Sequence, residues 1–223
     1  MRDRLDRIFT PLLAGAHWRD RLIASLGGLI GIGGTALVVA YVAGADTVAL
    51  LVAPVGASAV LLFCVPSSPM AQPLPTVFGA IVSMFSGFVA AHLFGHGVVA
   101  AGVSVGLAIL LMSVLRCLHP PGGGYALVPV VGGPTVLAHG WGFLIAPVGV
   151  NALLLVLVGL IFHRFSGHSY PHRAQPVART TVSAEDIDAA LDEANEAFDV
   201  SRDDLIALLA SAERHAEARR GRK

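Results

Sequence analysis

The sequence predicts an all-α integral membrane protein of about six transmembrane segments, two of them broken or re-entrant helices, in a 3+3 inverted repeat with a cytoplasmic helical hairpin appended. Three observations lead there. Between Leu22 and Ile161 the only formally charged side chains are Asp46 and Arg116, and a charge at bilayer depth costs about 2.5 kcal/mol or more. Of the 223 residues 55% are hydrophobic and 13% charged, proportions that exclude an ordinary soluble domain. Basic residues flank the apolar block on both sides, Arg2, Arg4, Arg7, Arg19 and Arg21 before it and Arg164, Arg173 and Arg179 after it. Positive charge stays on the cytoplasmic face, so both termini are expected there, with the chain as a multi-pass protein of the inner (plasma) membrane.

Residues 1–21 read as a cytoplasmic segment, too charged at the start to be a cleaved signal peptide. Leu22 to Ala45 is a spanning helix, and its Gly27-x-x-x-Gly31 pair with Gly33 and Gly34 gives a thin face for a neighbouring helix. Val48 to Val65 is long enough to cross but holds Pro54 and Gly56 near its middle, which predicts a broken helix restarting near Gly56. A polar turn through Pro66-Ser67-Ser68-Pro69 and Gln72-Pro73-Leu74-Pro75 follows. Thr76 to Phe94 spans again, with Ser83, Gly87 and Ala91 at small-residue spacing, and Gly95-His96-Gly97 makes a tight loop. Val98 to Leu115, carrying Gly102 and Gly106, runs into Arg116 and the stretch His119-Pro120-Pro121-Gly122-Gly123-Gly124. Tyr125 to Val131 is too short to cross alone. Trp141 to Phe162 is the last span, with Trp141 as interfacial anchor and Arg164 as the cytoplasmic stop.

The apolar region, residues 22–165, is therefore one transmembrane transport domain, joined by a linker (166–182) to a helical hairpin (183–223). Ser183 precedes Asp186 and Ser201 precedes Asp204, two N-caps with an acid at the third helical position. Ile187, Leu191, Ala194 and Phe198 form one apolar stripe, and Leu205, Leu208, Leu209 and Ala212 another. Such stripes suit a hairpin or a contact between copies, and a homo-oligomer is expected.

An internal repeat emerges when Ala53–Leu62 is laid over His119–Val128, giving each half the order span, broken segment, span. Six crossings or four both return the C-terminus to the cytoplasm, and a cytoplasmic Arg116 favours six. Backbone freed by a break is tolerated where it lines a cavity, and helix N-termini attract anions. The candidate substrate-binding residues are thus Gly56, Ala57 and Ser58 at the first break, and Arg116, His119, Gly122, Gly123, Gly124 and Tyr125 at the second. The combination suits a small inorganic anion. A plainer reading stands beside it, in which the prolines and glycines only bend helices and Arg116 only sets topology. Ser67, Ser68 and Gln72 offer neutral donors or simply form a loop, whereas Ser58 and Asn151 sit in apolar runs and need partners.

Metal binding is weighed at His92 with His96, and at His163, His168 and His172, but no cysteine or carboxylate completes either set. Cys64 and Cys117 suggest neither a disulfide framework nor a zinc site. No intramembrane aspartate pair, Ser-His-Asp set or phosphate-binding loop with lysine occurs. Enzymatic activity, a cofactor and a nucleic-acid partner are therefore not expected.

At Leu118-His119-Pro120-Pro121-Gly122-Gly123-Gly124 the chain resembles the HPP family of integral membrane proteins, named for that His-Pro-Pro motif. Gly56–Phe63, Pro66–Pro73 and the exit segment Phe165–His172 extend the likeness over most of Leu22 to His172. The resemblance implies a multi-span protein, with plant plastid and cyanobacterial members associated with nitrite transport. Many bacterial relatives continue into paired CBS domains after a region like Ser183 to Arg220, and regulation through such domains is not expected here. The chain departs from the family pattern at Leu74, where arginine is common, and at Gly123, where alanine is common. The leading expectation is a transporter or channel for a small anion, nitrite by resemblance. The alternatives are a scaffold or sensor acting through the cytoplasmic helices, and a metal-ion transporter using His92 and His96. Asp46 is either a proton-coupling group or a solvated loop residue.

Overall fold

The computed structural model describes residues 18–174, 182–194 and 198–220. Most of the expected N-terminal segment (1–17), the centre of the linker (175–181) and the terminal Arg222 and Lys223 lie outside the described residues. Among those described are eight α-helices and no strand: α1 Trp18–Ala43, α2 Ala45–Cys64, α3 Pro73–Phe94, α4 Val98–Val114, α5 Gly122–Leu137, α6 Val150–Ser166, α7 Ala184–Ala194 and α8 Arg202–Arg220. Trp18–Tyr41, Pro73–Phe94 and Trp141–Ser166 are long and apolar enough to cross a membrane. Leu22, Leu29, Leu37, Val98, Val114 and Phe165 all point outward. In water a belt of such side chains is a liability, whereas in a bilayer it is the surface that meets lipid.

Helix α3 is the hub, packing on α4, α5 and α6, and its buried face of Gly79, Ala80, Ser83, Met84, Gly87 and Phe88 is mostly small. Small side chains let backbones approach where no hydrophobic effect drives them together. The Gly27 and Gly31 pair does make a contact face, but what fills it is an aromatic ring. A Cβ at either position would collide with Phe63, and one at Gly27 would also sit 2.9 Å from the Phe162 ring.

The expected first break is absent, because α2 runs continuously through Pro54 and Gly56. An interior proline costs about 3 kcal/mol in an isolated helix, and here tertiary contact offsets it. Pro54 is buried, and α5 approaches it so closely that a Cβ on Gly124 would lie 3.2 Å from the Pro54 Cβ. At ~1.5 Å per residue, the 20 residues of α2 reach ~30 Å, a bilayer's hydrocarbon thickness. Gly56 is therefore not a helix N-terminus.

The second irregularity does start a helix at Gly122, but α5 continues to Leu137, past the expected end at Val131. It turns sharply at Gly133 (φ 56°, ψ −143°), just before Pro134. The last span starts at Trp141 in a 3₁₀ turn and becomes regular only from Val150, since Ala146 before Pro147 is extended (φ −123°, ψ 112°).

Three connections, 65–72, 115–121 and 167–174, gather at one end of the bundle. The Tyr170 hydroxyl donates to the Ala71 carbonyl (2.9 Å), the His172 amide donates to Gln72 Oε1 (2.9 Å), and His119 Nδ1 lies 3.0 Å from the Met70 carbonyl. At the other end Trp141 stacks on His92 and packs against Phe85 and Phe88. Helices α1 to α6 thus run alternately from one end to the other. The two repeat stretches meet, His119 on Ser58 and Gly124 on Pro54, yet one is a helix interior and the other a turn leading into a helix.

Candidate functional site

The turn 115–121 is built by how α4 ends. Cys117 N–H donates to the Met112 carbonyl (2.9 Å) and Arg116 N–H to the Ser113 carbonyl (3.2 Å), the paired bonds of a Schellman cap. Arg116 takes the left-handed position of that cap (φ 54°), where glycine is the easy residue. Its cost as a side-chain-bearing residue is about 1–2 kcal/mol.

The chain then dives inward. His119 is fully buried, and Gly79 makes room for it: a Cβ there would sit 2.6 Å from His119 Cβ and 2.8 Å from the Cys117 carbonyl. Both ring nitrogens have partners. Nδ1 faces a carbonyl, which only accepts, so Nδ1 carries a proton and donates to Met70. Nε2 lies 2.8 Å from Ser58 Oγ. Ser58 Oγ also lies 3.1 Å from the Pro54 carbonyl, one turn back in α2.

Beside Ser58 stands Tyr125, fully buried in the first turn of α5, its hydroxyl near the Ser58 hydroxyl but short of good hydrogen-bond geometry with it. A buried hydroxyl without a partner costs about 1–3 kcal/mol. Asn151, 4% exposed, likewise leaves its side-chain oxygen unpartnered. The glycine amides expected to face an anion are already engaged. Gly122, Gly123 and Gly124 donate to the carbonyls of His119, Pro120 and Pro121 at 2.7, 3.3 and 2.9 Å, closing the first turn of α5. Gly122 serves instead as a contact point, since a Cβ there would meet Ser83 and Met112. Gly56 is half-buried with open space beside it, and Ala57 is exposed, so neither joins the buried cluster.

A cleft of about 660 Å³ opens between the connections and the first turn of α8. Arg116 and Arg173 line it with Ser67, Gln72, His172 and Asp203. Its wall includes Pro69, next to the Met70 whose carbonyl holds His119. Gln72 braces the wall by donating to the carbonyls of Pro66 (3.0 Å) and Ser68 (2.8 Å).

The hairpin helices close one side. Ser68 Oγ donates to Asp199 (2.7 Å), and His172 Nε2 lies 2.8 Å from Asp204. Burial raises the Asp204 carboxyl, but hydrogen bonds from Ser201 and His172 outweigh it and hold it below the usual range. Both expected N-caps form. Asp186 N–H donates to Ser183 Oγ (3.2 Å) while Ser183 N–H returns to Asp186 (2.8 Å), and Asp204 N–H donates to Ser201 Oγ (3.1 Å). Arg202 ties α8 to α7 through Asp188.

Of the predicted site residues, Ser58, His119 and Tyr125 come together, and Arg116 stands apart in the outer cleft. Met70, Gly79, Ser83, Arg173 and the docking acids Asp199 and Asp204 were not singled out for the site. Their roles come from backbone carbonyls, absent side chains or distant partners, which leave little trace in sequence. His92 spends Nδ1 on the Phe88 carbonyl (2.8 Å), and His163 spends both nitrogens, on Ser166 (2.9 Å) and the Leu62 carbonyl (3.1 Å). Among the described residues no group of three or more His, Cys, Asp or Glu is placed to hold a metal ion.

An alternating bundle of apolar helices with buried polar groups enclosed within it defines a polytopic α-helical membrane protein. The chain belongs to the HPP family: the family model "HPP, transmembrane region" matches residues 14–171, well over half of it. It is similar to two transmembrane proteins of Dictyostelium discoideum. One is 35% identical over 127 residues, 55% of this chain and 44% of the relative; the other is 36% identical over 114 residues, 49% and 36% respectively. The matches thus span less than half the length of either relative. No solved structure matches.

Proposed function

We propose that the protein carries a small inorganic anion across the membrane, nitrite foremost, with the outer cleft as its cytoplasmic mouth and Ser58, His119 and Tyr125 as the inner site. The observation that carries this reading is the pairing of a cleft that gathers Arg116 and Arg173 with a fully buried Tyr125 hydroxyl that stands beside Ser58 without a well-formed hydrogen bond. Two guanidiniums concentrate anions at the mouth, and neutral donors then suit a weakly hydrated ion. Helices α1–α3 and α4–α6 would be the halves of the inverted repeat, and no covalent chemistry is assigned to the site. The homo-oligomer would form through α4, whose Gly102 and Gly106 are exposed with open space beside them.

The test is nitrite uptake into proteoliposomes of purified protein, with empty vesicles to subtract nitrous acid permeation. Uptake by the wild type that drops at least tenfold in Arg116→Ala and in His119→Ala is the expected result. A second reading, a scaffold or sensor, draws on the docked hairpin and its contacts at Ser68 and His172. It predicts that removing 183–223 abolishes function while both point variants are silent.

A further inference from the structure

His119 sits in a hydrogen-bond set that is complete in either of two protonation states without moving a heavy atom. With the ring neutral, Nδ1–H donates to the Met70 carbonyl and the Ser58 hydroxyl donates to the bare Nε2, 2.8 Å away. With the ring protonated, Nε2–H donates to Ser58 Oγ, and the hydroxyl proton swings to the Pro54 carbonyl, 3.1 Å away. A histidine whose second nitrogen faced a carbonyl would be fixed in one state. His163 repeats the pairing of one carbonyl with one hydroxyl, Leu62 and Ser166; what sets His119 apart is its place across Ser58 from the buried Tyr125 hydroxyl. At His119 the second partner is a hydroxyl, which can both donate and accept.

We infer that His119 carries a proton together with each anion, making transport electroneutral. This rests on the transport reading above. The proton arrives from water in the cleft and is held at Nε2 as an N–H. The imidazolium charge offsets the one negative charge of the anion beside it, and both leave together as Nε2 returns its proton to water. The Tyr125 hydroxyl, next to Ser58 and without a well-formed hydrogen bond, donates to the anion.

The groups around the ring leave this role to His119. α2 presents Ser58 and the Pro54 carbonyl, the Pro69–Ala71 turn the Met70 carbonyl, and α3 the backbone of Gly79. The titratable neighbours are the Cys117 thiol in the same connection and the Tyr125 phenol across Ser58. Arg116 is exposed to the cleft. Asp199 and Asp204 are engaged by Ser68 and His172, and Asp203 faces the cleft. No carboxylate among these meets the ring to hold its charge permanently, so the anion itself is the counter-ion.

The experiment clamps membrane voltage with potassium and valinomycin and sets the pH gradient separately, reading the initial rate of protein-dependent nitrite uptake by the full chain. One-to-one symport predicts a rate that rises about tenfold per unit of external acidification below saturation and is unchanged between −100 and +100 mV. In His119→Gln the rate falls and its pH dependence disappears, and Ser58→Ala flattens the pH dependence. Wild-type uptake that follows voltage and ignores pH overturns the coupling while leaving the transport reading intact. Absence of any protein-dependent uptake in wild type overturns both. The voltage comparison needs only the wild type, so a variant that fails to fold does not blunt it.

Discussion

Tyr125 holds a fully buried hydroxyl that lies beside Ser58 without a well-formed hydrogen bond, and proteins rarely keep such a group without a use. Removing it should help the fold and hurt the function. Tyr125→Phe is expected to leave thermal stability in detergent unchanged or raise it by about 1 kcal/mol, because an unpaired buried polar atom is lost with little change of shape. Nitrite uptake should fall in the same variant. A clear loss of stability would mean that the hydroxyl has a structural partner. Arg116 makes the same argument from the backbone. Replacing it by glycine relieves left-handed strain of about 1–2 kcal/mol and gives up about 0.3–1 kcal/mol of favourable charge at a helix C-terminus. Arg116→Gly should therefore be the more stable protein by up to about 1.7 kcal/mol, read as a higher unfolding temperature, yet the poorer transporter. Gly79→Ala lies at the opposite pole. Its Cβ would press on His119 and the Cys117 carbonyl, and a loss of about 1–3 kcal/mol is expected, with detergent unfolding as the check.

At the scale of elements, the hairpin is joined to the bundle by side chains that respond to acid. The Asp204 carboxyl is held below its ordinary value in the docked state. Its contribution is therefore fully present above the ordinary carboxylate range and is lost as pH falls through the lowered value. Docking of α7 and α8 should weaken under that acidification, and Asp204→Asn should weaken it already at neutral pH. Protease cleavage between residues 175 and 182 is a direct readout, and cleavage equally slow in wild type and variant at all pH values would contradict it. The element scale also shows where sequence is informative. α1, α3 and α4 were legible because a long apolar run between polar breaks has few alternative structures in lipid. The caps at Ser183 and Ser201 were legible because capping is local chemistry. The continuity of α2 was not, since the proline is visible in the sequence while the offsetting contact with Gly124 comes from 70 residues away. Likewise, Ser58 could be seen to need a partner, but its pairing with His119 spans 61 positions.

At the scale of the molecule, the four stretches that carry the family resemblance prove to be one neighbourhood. Ser58 in the first meets His119 in the third, whose Nδ1 is held by Met70 in the second, which is pinned by Tyr170 and His172 of the fourth through Ala71 and Gln72. Their order along the chain was readable, but their convergence required the fold. That convergence also separates the two functional readings. If the bundle transports, a chain lacking 183–223 should retain at least part of its nitrite uptake, because none of the inner groups lies in the hairpin.

The tie of Tyr170 and His172 to Ala71 and Gln72 gives the molecule a mechanical property as well. Tension applied to the chain beyond residue 174 would be borne first by the hairpin's ties at Ser68 and His172 and then by the two residues that follow Met70, before any of it reached the spanning helices. A load on the C-terminal region, from a tethered partner or a pulling instrument, would therefore tug on the carbonyl that orients His119. The tail of this protein is a lever attached to a fully buried histidine.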